Sequence, residues 1–201
     1  MVNGGIEDMM KKIVGIVITL LMIGSISTLN VIAGDEENPE IEDDIGDTDL
    51  SFLDIEAAWF YEKQENPEYL FISMKFQDIK ETFPAVFAVK WSYNDIVYVA
   101  GLTTYFFKQK DVRSGLYQRG SYWQWKSMPA CDGIFDHHKN TFTWTIPKSN
   151  IGNPQQGERL TQTKCSAVPS FPISITDLFM DFRDFAPNNY NEHGHDYLLQ
   201  Y

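Results

Sequence analysis

The chain is expected to fold as an all-β protein, an antiparallel β-sandwich, and three observations carry that expectation. Short runs of alternating apolar and polar residues recur from Ile55 to the C-terminus, no segment holds a 3.6-residue apolar period, and 14 Phe, 10 Tyr and 5 Trp supply a core. The first run is Ile55-Glu-Ala-Ala-Trp-Phe-Tyr61, closed by a turn at Asn66-Pro67. In Tyr69–Gln77 the residues Leu70, Ile72, Met74 and Phe76 share one face, while Ser73, Lys75 and Gln77 point the other way. Phe87–Tyr93 and Ile96–Ala100 form a hairpin across Asn94-Asp95, although neither turn residue is glycine. Gly133–Phe135, Thr141–Ile146, Leu160–Cys165, Phe179–Phe182 and Tyr197–Tyr201 complete the series, with one helical turn after Pro147. About eight to ten such strands suit a sandwich.

Ahead of the strands lie two segments of different character. Lys11 and Lys12 precede an apolar run from Ile13, and Val31-Ile32-Ala33 offers small or modest side chains before Gly34. Residues 1–33 therefore read as a signal peptide cleaved after Ala33. The alternative is a retained membrane anchor, but the apolar core from Ile13 to Ile26 is about 14 residues, short of the roughly 20 needed to cross a bilayer. Either way the protein is expected outside the cytoplasm, secreted or at the cell surface, with membrane contact only through this segment. The net charge of −12 is concentrated next to it: residues 35–54 hold ten acids and no Lys or Arg, and the remainder from Ile55 has 16 acids against 14 bases. A stretch so charged repels itself, so residues 34–53 are expected to be a disordered acidic linker before a sandwich at 54–201. No clustered positive charge exists to bind nucleic acid.

Asp54-Ile55, Ala58-Trp59, the aromatic-rich second strand, and Phe142-Thr-Trp-Thr-Ile-Pro-Lys148 with Ile151-Gly152 and Gly157 carry a resemblance. The chain resembles the DOMON-like, jelly-roll-like β-sandwiches, among them the family 9 carbohydrate-binding modules, and is similar to secreted archaeal proteins of unassigned function. The resemblance implies a ligand-binding or attachment domain rather than a hydrolase. No sugar-binding tryptophan pair of that family maps onto positions here. Some DOMON domains bind haem through Met and His; Met74 and Met128 are available, but the chain has no Cys-X-X-Cys-His attachment signal.

The densest aromatic cluster is Tyr117, Tyr122, Trp123 and Trp125, with Arg119 among them. In an extended chain Trp123 and Trp125 share a face, making either an apolar platform on which sugar rings stack or part of the core. The flanking Gly115 and Gly120 point to a loop or bulge at this site. Near the C-terminus Asp177, Asp181 and Asp184 precede His193, His195 and Asp196. Their oxygens suit calcium and the His-X-His with Asp196 suits zinc or copper, although a solvated polar loop needs no metal. The adjacent His137 and His138 are expected in an exposed turn. Cys131 and Cys165 are expected to form a disulfide between neighbouring strands, the alternative being two buried thiols. No nucleophile elbow, zinc-protease motif or phosphate loop is present, so no catalytic residue and no resident cofactor beyond a calcium ion is expected. Two functions follow: a non-catalytic module recognising a glycan or other surface polymer, and a structural subunit that self-assembles by strand exchange through Thr48–Asp54.

Overall fold

A computed structural model describes residues 34–78, 84–104, 110–118, 125–127, 131–170, 184–188 and 191–201, with 110–118 and 125–127 described in backbone only. Among them are β1 (Ile41–Glu42), β2 (Ile55–Lys63), β3 (Asn66–Phe76), β4 (Ala85–Tyr93), β5 (Ile96–Thr104) and β6 (Lys110–Gln118). There follow β7 (Trp125–Ser127), β8 (Asp132–Asp136), β9 (Thr141–Pro147), a 3-10 turn (Lys148–Ile151), β10 (Arg159–Pro169), β11 (Asp184–Ala186) and β12 (Tyr197–Leu198). They make two antiparallel sheets, one ordered β1-β2-β3-β9-β8 and the other β11-β10-β4-β5-β6-β7, with β12 joined to β10. The β-sandwich expected from alternation is the observed fold. The expected signal segment and the strand at Phe179–Phe182 lie outside the described residues.

Alternation decides the packing. Phe60, Leu70, Ile72, Met74, Phe142, Trp144 and Ile146 of the five-stranded sheet turn inward and are fully buried. They meet Val89, Trp91, Tyr98, Leu102 and Leu160 of the other sheet in one core. Phe60 meets Trp91 edge-on at 5.8 Å, and the Trp144 indole N–H donates to the Gly101 carbonyl at 3.2 Å across the sandwich. At the β4–β5 hairpin Tyr93 pairs with Ile96, and Asn94 and Asp95 take positive φ of 50° and 61°. These are the two residue types that tolerate the left-handed region without being glycine.

Gly152 ends the 3-10 turn at φ 84°, and a Cβ there would sit 2.9 Å from the Tyr98 hydroxyl and 3.2 Å from the Tyr93 ring. Both the conformation and the space exclude a side chain. Gly152→Ala is expected to lower stability by about 1–2 kcal/mol, read as a shifted urea midpoint at unchanged slope.

Two expectations are corrected. The acidic segment is not a disordered spacer: from residue 34 it is laid onto the sandwich. Ile41 pairs with Ala58 as an edge strand and is fully buried, and Phe52 and Leu53 enter the core. Burial of three apolar side chains at about 1.5–3 kcal/mol each outweighs repulsion between exposed acids. Lys75 relieves that repulsion too, reaching Glu36 and Glu56 at 3.2 Å each. The cysteines form no disulfide, and both are buried. Cys165 lies on β10, which runs beside β1 and β2, while Cys131 adjoins β8 on the opposite sheet and at the opposite flank, beside β6. Two strands, β4 and β5, separate β10 from β6, and at about 4.8 Å per strand step that distance is beyond the roughly 4.4–6.8 Å a disulfide spans between Cα atoms. Burial, with Asp43 and Asp184 nearby, pushes the Cys165 thiol well above its ordinary pKa.

Candidate functional site

Strand β2 carries large side chains on both faces. Phe60 points inward, and the pairing Trp59–Ser73–Thr143 and Tyr61–Phe71–Thr145 sets two outward rows across β2, β3 and β9. Tyr61 stacks on Phe71 at 5.1 Å, and the Lys63 ammonium lies 4.6 Å above the Phe71 ring. The Ser73 and Thr143 hydroxyls hydrogen-bond each other at 2.7 Å. The Tyr61 phenol is raised above its ordinary pKa by burial, partly offset by those same two hydroxyls. Trp59 and Tyr61, with the hydroxyls of Ser73 and Thr143, line the floor of a groove of about 1040 Å³, to which the Phe71 ring beneath Tyr61 and Lys63 does not contribute.

Its walls come from two places. On one side stand Glu36 and Glu37 of the acidic segment, on the other Ile134 and the turn His137–Lys139 of the β8–β9 hairpin. Glu36 joins the walls, reaching Lys75 and, at 3.8 Å, Lys139. Asp136 shapes the hairpin turn by accepting from the His138 and Lys139 N–H groups at 2.9 and 3.2 Å. His137 and His138 are exposed there, as expected, with His137 stacked on Phe135. A smaller hollow of about 660 Å³ lies at the β4–β5 turn, where polar groups already satisfy one another: the Tyr93 hydroxyl donates to Glu158 at 2.6 Å, and Ser92 to Gln162 at 3.1 Å.

Of the aromatic cluster expected to bind ligand, the backbone pairs Tyr117 of β6 directly with Trp125 of β7. Arg119, Tyr122 and Trp123 lie outside the described residues. Met74 is sealed in the core.

Of the expected metal set, Asp184 stands apart from the His193–Asp196 segment. Asp181 lies outside the described residues. Asp184 opens β11 opposite Ala167, whereas Gly194 donates to Thr163, four residues or about 13 Å away along β10. His193, His195 and Asp196 are exposed, and the main chain of His195 ties the segment down, donating to Glu40 and accepting from Thr163. Burial first, then Lys164 and Lys90, lower the His193 pKa, an environment that disfavours a cation. What Asp184 does meet is the acidic segment. Its carboxylate comes together with those of Asp43 and Asp47, one oxygen of each lying within 4.8 Å of the others. Burial raises the pKa of both Asp43 and Asp184 and repulsion from Asp47 adds to it, while a hydrogen bond between the two carboxyls raises Asp43 further and lowers Asp184.

Sequence reasoning missed the outer-face groove, although a signal was present. Trp59 and Tyr61 of β2 fall on the face opposite Phe60, where alternation calls for polar residues. Comparison with protein-family models, with curated proteins and with solved structures finds no match to this chain. The DOMON-like resemblance therefore rests on the short motifs that carry it.

Proposed function

We propose that this protein is a secreted or cell-surface binding module, without catalysis of its own, that holds a glycan or similar surface polymer along the outer face of its five-stranded sheet. The observation that carries the reading is the group of hydroxyls of Tyr61, Ser73 and Thr143, from two neighbouring rows, that lines the groove beside the Trp59 and Tyr61 rings. A pyranose presents an apolar C–H face ringed by hydroxyls, so its receptor needs a flat ring beside hydrogen-bonding groups. The groove volume is that of a ligand site. Its walls carry Glu36, Glu37 and Asp136 against Lys139, so neutral chains are favoured over sulfated or uronic ones.

The assembly reading draws on Ile134, 68 % exposed on the sheet-edge strand β8. Asp132 and Asp136 flank it, and charge on an edge discourages pairing with another chain. Donation of Thr48–Asp54 would first uncover Phe52 and Leu53, which are buried in their own sandwich.

Affinity electrophoresis of the full chain through gels of neutral and of sulfated polysaccharides tests the proposal. Retardation by a neutral polymer is expected. Tyr61→Ala is expected to weaken it about tenfold, or ~1.4 kcal/mol, while Trp123→Ala with Trp125→Ala leaves it unchanged. Retardation by none of the polymers, or indifference to Tyr61→Ala, rejects the groove.

A further inference from the structure

We propose that the α-ammonium freed on Gly34 when the signal peptide is removed is the counter-ion of the buried Glu40 carboxylate, a pair that fastens the acidic segment to β2. The inference rests on the secretory reading proposed above, with cleavage after Ala33. Water splits the Ala33–Gly34 peptide bond, leaving a carboxylate on Ala33 and an ammonium on Gly34.

Local structure brings the two residues together. The Asp35 side chain accepts from the Glu37 and Asn38 N–H groups at 2.9 and 2.8 Å, and the chain turns back so that Gly34 lies against Glu40. Both residues are buried. A Cβ on Gly34 would overlap both carboxylate oxygens of Glu40 and sit 2.5 Å from its carboxyl carbon. Only glycine leaves that space open. The nitrogen and the position a Cβ would take are both bonded to Cα, and rotation about the Cα–C bond exchanges them. While it is joined to Ala33 the nitrogen is tethered; once freed it can turn into that space. An ammonium has the size of the methyl group excluded there, but its N–H groups attract the oxygens that a methyl group would crowd.

Glu40 is also a carboxylate in want of a cation. Its Oε2 accepts from the Phe60 N–H at 2.8 Å and its main-chain oxygen from the His195 N–H at 2.7 Å, so the residue is held in place. Among the described residues the ion pairs engage Glu36, Glu56 and Glu62, and none reaches Glu40. Burial lifts its carboxyl to about 7, Asp35 adds repulsion, and the group facing it from β12 is the Tyr197 phenol rather than a cation. Buried charges in folded proteins are paired, and the freed ammonium is the cation that the chain itself brings to this place. Gly34 lines the groove together with Asp35, Glu36 and Glu37, so the pair would set one wall of the proposed glycan site.

The test expresses the full chain in a secreting host and reads the N-terminus of the secreted protein by intact mass. That protein is then pulsed with an acetylating succinimidyl ester at pH 7, and acetylation of Gly34 is measured by peptide mass. An unpaired α-amine titrates near about 7.7–8.0 and is partly neutral at that pH, whereas a carboxylate partner keeps it charged and unreactive. Acetylation is expected to be at least tenfold slower in the native wild type than in the same protein unfolded in urea. Glu40→Gln is expected to remove most of that protection, and Glu65→Gln, on the exposed β2–β3 turn, none of it. The pH profile of the rate, which needs no variant, is expected to place the amine above about 9 in the native wild type. An N-terminus other than Gly34 rejects the cleavage and the pair with it. Cleavage at Gly34 with equal rates in the wild type and Glu40→Gln, or with an amine that titrates at its ordinary value, overturns the pair alone.

Discussion

Replacing Lys148 with methionine is expected to lower the stability of the fold by about 3–5 kcal/mol, the usual result of leaving a buried charge without its partner. Lys148 and Glu62 are each more than nine-tenths buried and form an ion pair. The Lys148 ammonium also donates to the main-chain oxygen of Tyr201, while the second oxygen of Glu62 accepts from the Gln200 N–H and from the Tyr197 hydroxyl. One charge pair therefore ties β2, the 3-10 turn and the C-terminal residues together. The pair itself is not expected to be the source of the stability. Desolvation consumes most of its attraction, so Glu62→Leu with Lys148→Met is expected to recover all but about 1–2 kcal/mol of the loss. Urea denaturation of the two single variants and the double variant reads this directly. A Lys148→Met protein within 1 kcal/mol of the wild type would show that the pair is solvated.

In the chain before cleavage, Glu40→Gln is expected to stabilise the fold above neutral pH, on the order of 3 kcal/mol at pH 8. Glu40 is buried between the acidic segment and β2, and burial lifts its carboxyl to about 7. Its Oε2 accepts from the Phe60 N–H at 2.8 Å, Asp35 adds repulsion from its own segment, and the Tyr197 phenol faces it from β12. The fold thus prefers the protonated acid, whereas the unfolded chain releases that proton near 4.5. The contribution of this group to stability is complete below about pH 4.5, declines as pH rises toward about 7, and is flat beyond. Glutamine keeps an acceptor for the Phe60 N–H and has no proton to lose. The gap between variant and wild type should accordingly open between pH 5 and 8 and vanish near pH 4. Denaturation at four pH values measures it, and a gap independent of pH would contradict the account.

Period-two alternation made most of the sandwich legible, because strands half-buried on one face leave that imprint directly in sequence. The β4–β5 hairpin was readable to the residue, since Asn94 and Asp95 are the side chains its turn demands. The acidic segment was not. Ten carboxylates masked Ile41, Phe52 and Leu53, and the strand they anchor is only two residues long. Its cations, Lys75 and Lys139, come from β3 and from the β8–β9 turn. The contact of Asp184 was hidden for a related reason: local spacing drew attention to His193 and His195 beside Asp196, while the fold carries Asp184 to Asp43 and Asp47 from the other end of the chain. Reading Trp123 and Trp125 as the aromatic platform rested on density in the sequence. Trp59 and Tyr61 meet Ser73 and Thr143 only when β2 and β9 pair with β3.

Amide chemical-shift mapping of the full chain, titrated with a neutral oligosaccharide from the polymer that retards it most, tests the groove most directly. The largest shifts are expected at 59–61, 71–75 and 134–143, saturating together with one dissociation constant. Shifts confined to other strands, or none with any neutral glycan, would contradict the proposed function.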